Sequence, residues 1–200
     1  MDEQAQILGA LVKAVQIIEQ CREFSLIVPE VRVNIVYALP NAKTTEDIAG
    51  IDGRLTVVNG YPRAAGLPRF GASDHMARAI LEIRKYRPEI RAGINFKYND
   101  QLRKIIAEYA KLNGLSTGCI ERANEPEEEK LSIVKSMPWK IKYLKETYGF
   151  IPDIFYETAG WGKEPLFVVI GLEPVKVASI SVEVAKEYAK TQSNFIKRKV

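Results

Sequence analysis

The sequence predicts an α/β sandwich: one domain over residues 1–200, built on a mixed, largely parallel sheet flanked by helices. Three observations lead there. After residue 73, stretches with apolar residues at helical spacing alternate with short β-rich apolar runs. Asn59-Gly60 lies between two strand-like runs and marks a tight hairpin, hence an antiparallel portion. No internal repeat, low-complexity linker or shift of composition divides the chain.

The elements follow in order. Ile7, Leu8, Leu11, Val15 and Ile18 recur at three- and four-residue spacing, so residues 3–21 read as an amphipathic helix. Asn34-Ile35-Val36-Tyr37-Ala38-Leu39 is a buried-strand candidate stopped by Pro40. Residues 45–48 suggest a short helical turn. Leu55–Val58 and Arg63–Ala65 are the two arms of the hairpin, and Gly66–Gly71 reads as a loop. Ser73 is placed to cap a helix that runs to Tyr86, before Pro88. Arg91–Lys97 is a strand. Asn99 caps a helix over 100–112 that ends at Asn113-Gly114. A strand over 116–121 follows, and the acidic run 124–131 reads as an exposed loop or helix start. A helix over 136–148, strands at Asp153–Tyr156 and Leu166–Ile170, and a helix over 174–190 complete the pattern. The basic tail, 191–200, reads as a solvated end.

Composition removes several functions. Hydrophobic residues make up 46% and charged residues 27%, an ordinary globular balance that excludes disorder and collagen-like repeats. No apolar run is long enough to span a membrane, and Met1-Asp2-Glu3-Gln4 lacks the basic start of a secretory signal, so a cytoplasmic protein is expected. Twenty-nine Lys and Arg against 25 Asp and Glu give +4, too mild to imply nucleic acid but compatible with a local basic pocket. The single histidine, His75, excludes a His-rich metal site and an HExxH protease. No GxSxG elbow and no GxxxxGK[ST] loop are present. Cys21 and Cys119 are far apart, form no CxxC, and read as small buried hydrophobes.

The segment 54–75 is the most informative for chemistry. It carries Arg54, Arg63, Arg69 and His75, with no Asp or Glu between Arg54 and Arg69. Arg69-Phe70-Gly71-Ala72-Ser73 leads directly into a helix, whose free amides and dipole favour an anion such as phosphate. Gly71 lets a ligand approach the backbone, and Arg69 could grip phosphate oxygens bidentately. Surface arginines beside a capped helix would account for the same residues. His75 falls in the first helical turn, where the dipole lowers an imidazole pKa and a bound phosphate raises it; a structural histidine is the plain alternative. Asn95 and Lys97 share a strand face, Asn34 sits in an apolar strand, and Asn41 and Lys43 follow it. Gly160-Trp161-Gly162-Lys163-Glu164-Pro165 is a glycine loop with one cation. Taken singly, each of these is equally a turn or a capped end.

Together, the segments Asn34–Lys43, Gly53-Arg54-Leu55, Pro68–His75 and Gly162–Pro165 resemble the ThiN-type thiamine-phosphate synthase domain, from about residue 7 to about 190. The resemblance implies condensation of hydroxymethylpyrimidine diphosphate with thiazole phosphate, giving thiamine phosphate and diphosphate. It carries the family's functional arginine and histidine onto Arg54 and His75, and implies Mg²⁺ on the diphosphate. Arg63, Arg69, Gly71, Ser73, Asn34, Lys43, Asn95, Lys97 and Lys163 are the supporting candidates for substrate or phosphate binding. Such domains often form the C-terminal part of a chain with a hydroxymethylpyrimidine and phosphomethylpyrimidine kinase, so a covalently fused kinase half and a homodimer are expected. Neither nucleic acid nor membrane is expected as partner. The alternative is a thiamine-phosphate-sensing domain of a transcription regulator, although residues 1–30 hold one helix and cannot supply a helix-turn-helix.

Overall fold

A computed structural model of the protein describes residues 2–130, 132–160 and 162–197. In chain order its elements are α1 (Glu3–Glu19), β1 (Ile35–Ala38), β2 (Ile48–Ile51), β3 (Leu55–Val58), β4 (Tyr61–Ala64), β5 (Pro68–Phe70), α2 (Asp74–Arg84), β6 (Ala92–Lys97), α3 (Asp100–Asn113), β7 (Thr117–Ile120), α4 (Glu127–Lys130), α5 (Ile133–Tyr148), β8 (Ile154–Glu157), β9 (Leu166–Gly171) and α6 (Pro174–Lys197). The end of the basic tail, 198–200, lies outside the described residues.

Strand alternation sorts the apolar residues onto two faces. Ile35 and Tyr37 of β1 and Phe167 and Val169 of β9 pack with α1, α3 and α6. Their neighbours Val36, Ala38, Val168 and Ile170 pack with α2 and α5. A sheet covered on both faces needs apolar side chains at consecutive positions, which is why these strands read as unbroken apolar runs rather than alternating ones.

Seven strands form one sheet in the order β5-β2-β1-β6-β9-β8-β7, and β3 with β4 forms a separate hairpin. The mixed sheet flanked by helices is as expected, but its balance is antiparallel: β7 with β8 is the parallel pair, and the other five pairings are antiparallel. Helices alternating with strands suggested crossovers between neighbours. Yet α3 links β6 to β7 at opposite ends of their half-sheet, and of the helix-linked strands in sheet contact only β7 and β8 run parallel. The loop expected over 66–71 also contains β5, an edge strand that Pro68 can open because its missing N–H faces no partner.

Local signals were otherwise followed closely. Asn99 caps α3 by accepting the Leu102 amide, and Gly114 ends it at φ +66°, a left-handed conformation that glycine adopts at little cost. Gly93 lets α2 approach β6: a Cβ there would lie 3.0 Å from Ile80 Cδ1 and 3.1 Å from Met76 Cε.

The start of β1 is held by side-chain amides. Asn34 Oδ1 accepts the Ile51 amide at 3.0 Å, and its Nδ2 donates to the Ile51 carbonyl at 3.3 Å. Asn95 Oδ1 accepts the Asn34 amide at 2.8 Å, while its Nδ2 donates to the Arg32 carbonyl at 3.1 Å. Both side chains are buried. Asn34→Ala strips the Ile51 amide of its acceptor at a buried position and is expected to cost about 1–3 kcal/mol. Urea unfolding measures it; an unchanged midpoint would show that the amides hold nothing.

Candidate active site

A cavity of about 260 Å³ opens where the N-terminus of α2 meets the end of β8 and the loop that follows it. That volume suits a small molecule rather than one trapped water. Arg54, Ser73, His75, Lys163, Asn34 and Asn95 line it, joined by Arg122, Lys140, Glu157 and Glu164. Val31, Met76, Met137 and Leu166 supply apolar wall.

Ser73 is the N-cap of α2, but its side chain makes no capping hydrogen bond. The first-turn amides of α2 are thus open to an acceptor, beside His75 in the second helical position. Arg54 stands in a tight turn with φ +67°, directly after Gly53 at φ +69°. The turn is closed by the Arg54 amide on the Ile51 carbonyl at 3.1 Å and the Ala65 amide on the Arg54 carbonyl at 2.9 Å. A left-handed conformation costs a residue with a Cβ about 1–2 kcal/mol, so these bonds hold a strained residue at the rim.

Glu164 secures the adjoining backbone. Its carboxylate accepts the Val31 amide at 2.7 Å and the Glu30 amide at 3.3 Å. The Val31 carbonyl in turn accepts Arg54 Nη1 at 2.5 Å. The loop bearing Lys163 and the turn bearing Arg54 are therefore latched through one stretch of backbone.

Beneath the cavity lies a charge network that the sequence reading did not anticipate. Glu157 Oε2 accepts Lys140 Nζ at 2.5 Å and Arg122 Nη1 at 3.0 Å. Arg122 Nη2 reaches Glu125 Oε2 at 3.0 Å, and Ser136 donates to the other Glu125 oxygen. All five side chains are buried. Gly160 sits against the guanidinium; a Cβ there would lie 2.9 Å from Arg122 Nε. The two acids and two bases cancel. Burial pushes the Glu157 carboxyl upward, but Lys140, His75 and Arg122 outweigh it, so it titrates below the usual carboxylate range. Burial pushes Lys140 down despite Glu157. Burial is also the largest influence on His75; Glu157 opposes it, while Lys140, Arg122 and Arg54 add to it, so the imidazole titrates below its ordinary value. That shift favours the neutral imidazole, which can donate one N–H.

Of the candidates read from sequence, the structure brings Arg54, His75, Ser73, Asn34, Asn95 and Lys163 to this cavity. Asn34 and Asn95 are committed to backbone partners there. Arg63, Arg69, Gly71, Lys43 and Lys97 do not line it. Arg63 donates to the Glu19 carbonyl at 3.2 Å, and Arg69 pairs with Asp52 at 3.0 Å. Lys97 is exposed at the end of β6, and Gly71 carries φ +71° beside Glu46. The acidic run 124–131, read as an exposed loop or helix start, does open α4 with exposed Glu127 and Glu128, but Glu125 within it is buried. Its burial follows from Arg122, which it neutralises.

Signals for the missed residues existed. Lys140 lies on the apolar stripe Met137, Ile141, Leu144 of α5, where a charge needs a partner. Glu157 shares a strand face with buried Phe155. Cys21 and Cys119 are both free. Among the described residues, no three His, Cys, Asp or Glu side chains converge to hold a metal. Glu125 and Glu164 are engaged by Arg122 and Ser136 and by backbone amides, and Glu157 keeps one oxygen unpaired, so the residues present do not converge to hold Mg²⁺. Among the described residues no helix is long and apolar enough to cross a membrane.

The profile of the family "Thiamine-phosphate synthase ThiN" matches residues 10–183. Thiamine-phosphate synthase ThiN of Methanothermobacter thermautotrophicus is 31% identical over 176 residues, covering 88% of this chain and 90% of that protein. The bifunctional thiamine biosynthesis protein ThiDN of Methanocaldococcus jannaschii is 35% identical over 167 residues, 82% of this chain but 37% of that longer protein. A crystal structure described as the C-terminal domain of phosphomethylpyrimidine kinase superposes with a TM-score of 0.86 at 35% identity, over 91% of this chain and all (100%) of that one.

Removing one partner of a buried ion network leaves the others uncompensated. Arg122→Ala is expected to cost about 3–5 kcal/mol in denaturant unfolding, whereas Arg69→Ala, at an exposed pair, changes stability by less than about 0.5 kcal/mol. Glu157, whose carboxyl is depressed on folding from a value of 4.5, contributes stability above that pH which is lost as pH falls below it. Glu157→Gln should therefore flatten part of the acid limb of a stability–pH profile.

Proposed function

The chain belongs to the thiamine-phosphate synthase ThiN family, and on that premise we propose that its cavity joins hydroxymethylpyrimidine diphosphate to thiazole phosphate, with diphosphate as the leaving group. The carrying observation is an imbalance of charge. Arg122 and Lys140 are neutralised from below, and Glu164 is engaged by backbone amides. Among the described residues Arg54 and Lys163 have no acidic partner. Two free cations, an open helix N-terminus and a neutral imidazole donor thus meet at one cavity, and together they fit a multiply charged phosphate ester.

The chemistry follows from that placement. The bond between the pyrimidine methylene carbon and the diphosphate oxygen breaks, and its electron pair leaves with the diphosphate. The thiazole nitrogen supplies the pair for the new C–N bond, and the positive charge ends on the thiazolium ring. No proton need move. Arg54, His75 and the first-turn amides of α2 meet the charge growing on the leaving oxygens. The Glu164 latch ties the loop bearing Lys163 to the turn bearing Arg54, so the two cations are held in one fixed arrangement for the reactants. Met76, Met137, Val31 and Leu166 offer apolar surface for the rings and exclude water from the cationic carbon. We propose that Mg²⁺ takes part only as a counter-ion carried by the diphosphate, and no step above passes through it.

The relatives named above are all named for biosynthetic enzymes, and the alternative of a sensing module draws no support from them. The bifunctional relative supports a kinase domain as covalent partner when the domain occurs in a longer chain.

His75→Ala and Arg54→Ala should each lower the rate of thiamine phosphate formation about 10²–10³-fold with an unchanged circular dichroism spectrum. Arg63→Ala and Arg69→Ala, outside the cavity, should stay within about threefold of the parent. Parent-like rates from both of the first two variants would overturn the assignment.

A further inference from the structure

Glu157 has the wrong sign for a phosphate site and yet lines it. Its Oε2 is spent on Lys140 and Arg122, but among the described residues Oε1 has no hydrogen-bond partner. The side chain is 8% exposed, yet Oε1 is not sealed within the protein, so this oxygen is open to the cavity that Glu157 lines. Lys140 and Arg122 keep the carboxylate ionised, and Met76 and Met137 flank the same cavity. An unpaired carboxylate oxygen facing an enclosed cavity favours a ligand that brings it a donor.

Neither phosphate group of the two substrates supplies that donor, because both are acceptors. The thiazole ring has no N–H. The remaining source is the exocyclic amino group of the pyrimidine. We propose that Glu157 Oε1 accepts a hydrogen bond from this amino group, which makes Glu157 the residue that selects an amino-substituted pyrimidine. This rests on the synthase reading. As the carbon–oxygen bond breaks, the ring and its amino nitrogen share the developing positive charge, and the N–H becomes a stronger donor. The bond to a fixed anion then tightens toward the transition state, with no proton transferred. Lys140 and Arg122 act as positioning residues: they fix the carboxylate and leave one oxygen free.

The test compares hydroxymethylpyrimidine phosphate with its analogue carrying hydrogen in place of the amino group, by calorimetric binding to the wild-type chain and to Glu157→Gln. The wild type should prefer the amino compound about 10–100-fold, as expected for a hydrogen bond to a charged group, and the variant should retain less than a few-fold preference. Equal wild-type affinities, or the same preference in the variant, overturn the proposal. If Glu157→Gln does not fold, Glu157→Asp, which keeps the charge but withdraws the carboxylate from the cavity, takes its place under the same criteria. Failure of either pyrimidine to bind, together with no thiamine phosphate formed, would instead sink the synthase reading and the proposal with it; binding without discrimination sinks the proposal only.

Discussion

The site depends on charges that are buried and cancelled within the protein. Arg122, Lys140, Glu157 and Glu125 join the end of β7, the end of β8 and the inner stripe of α5. Any one of them alone would be prohibitively costly away from water, so each is present because the others are. The consequence reaches the cavity: with two cations neutralised from below, Arg54 and Lys163 are, among the described residues lining it, the cations without an acidic partner. Burial depresses the imidazole pKa, with Lys140 and Arg122 adding to it and Glu157 opposing, which favours a neutral His75.

Rigid backbone supports the rim. Asn34 and Asn95 tie the start of β1 to β2 and to the segment before it, and Glu164 ties that segment to the β8–β9 loop. Arg54, in a left-handed conformation, projects from a turn closed on both sides by backbone hydrogen bonds. A side chain that must face a developing charge gains from a backbone with few alternative states, and the strain at Arg54 is offset by the bonds around it. α2 completes the arrangement because Gly93 allows it to lie close on the sheet, bringing its N-terminus to the cavity.

Local rules read most of the elements correctly. Asn99 and Gly114 bracket α3, Asn59-Gly60 turns the β3–β4 hairpin, and Ser73 opens α2. The edge strand β5 escaped because a three-residue strand opened by proline carries no local signature apart from a loop. Strand direction escaped for a different reason: it depends on which strands become neighbours, and neighbours are chosen by packing.

By itself the sequence determined most helix and strand segments, the apolar faces, the open amides at the start of α2 and the long motif that nominates Arg54 and His75 as candidates, because each depends on neighbouring residues. Tertiary structure alone decided which cations stay available. Arg69 is neutralised by Asp52, seventeen positions away, and Arg63 is turned toward α1. Arg122 and Glu157, 35 positions apart, become partners only because β7 and β8 lie side by side. Net charge at a site is a sum over spatial neighbours, and spacing along the chain does not contain that sum.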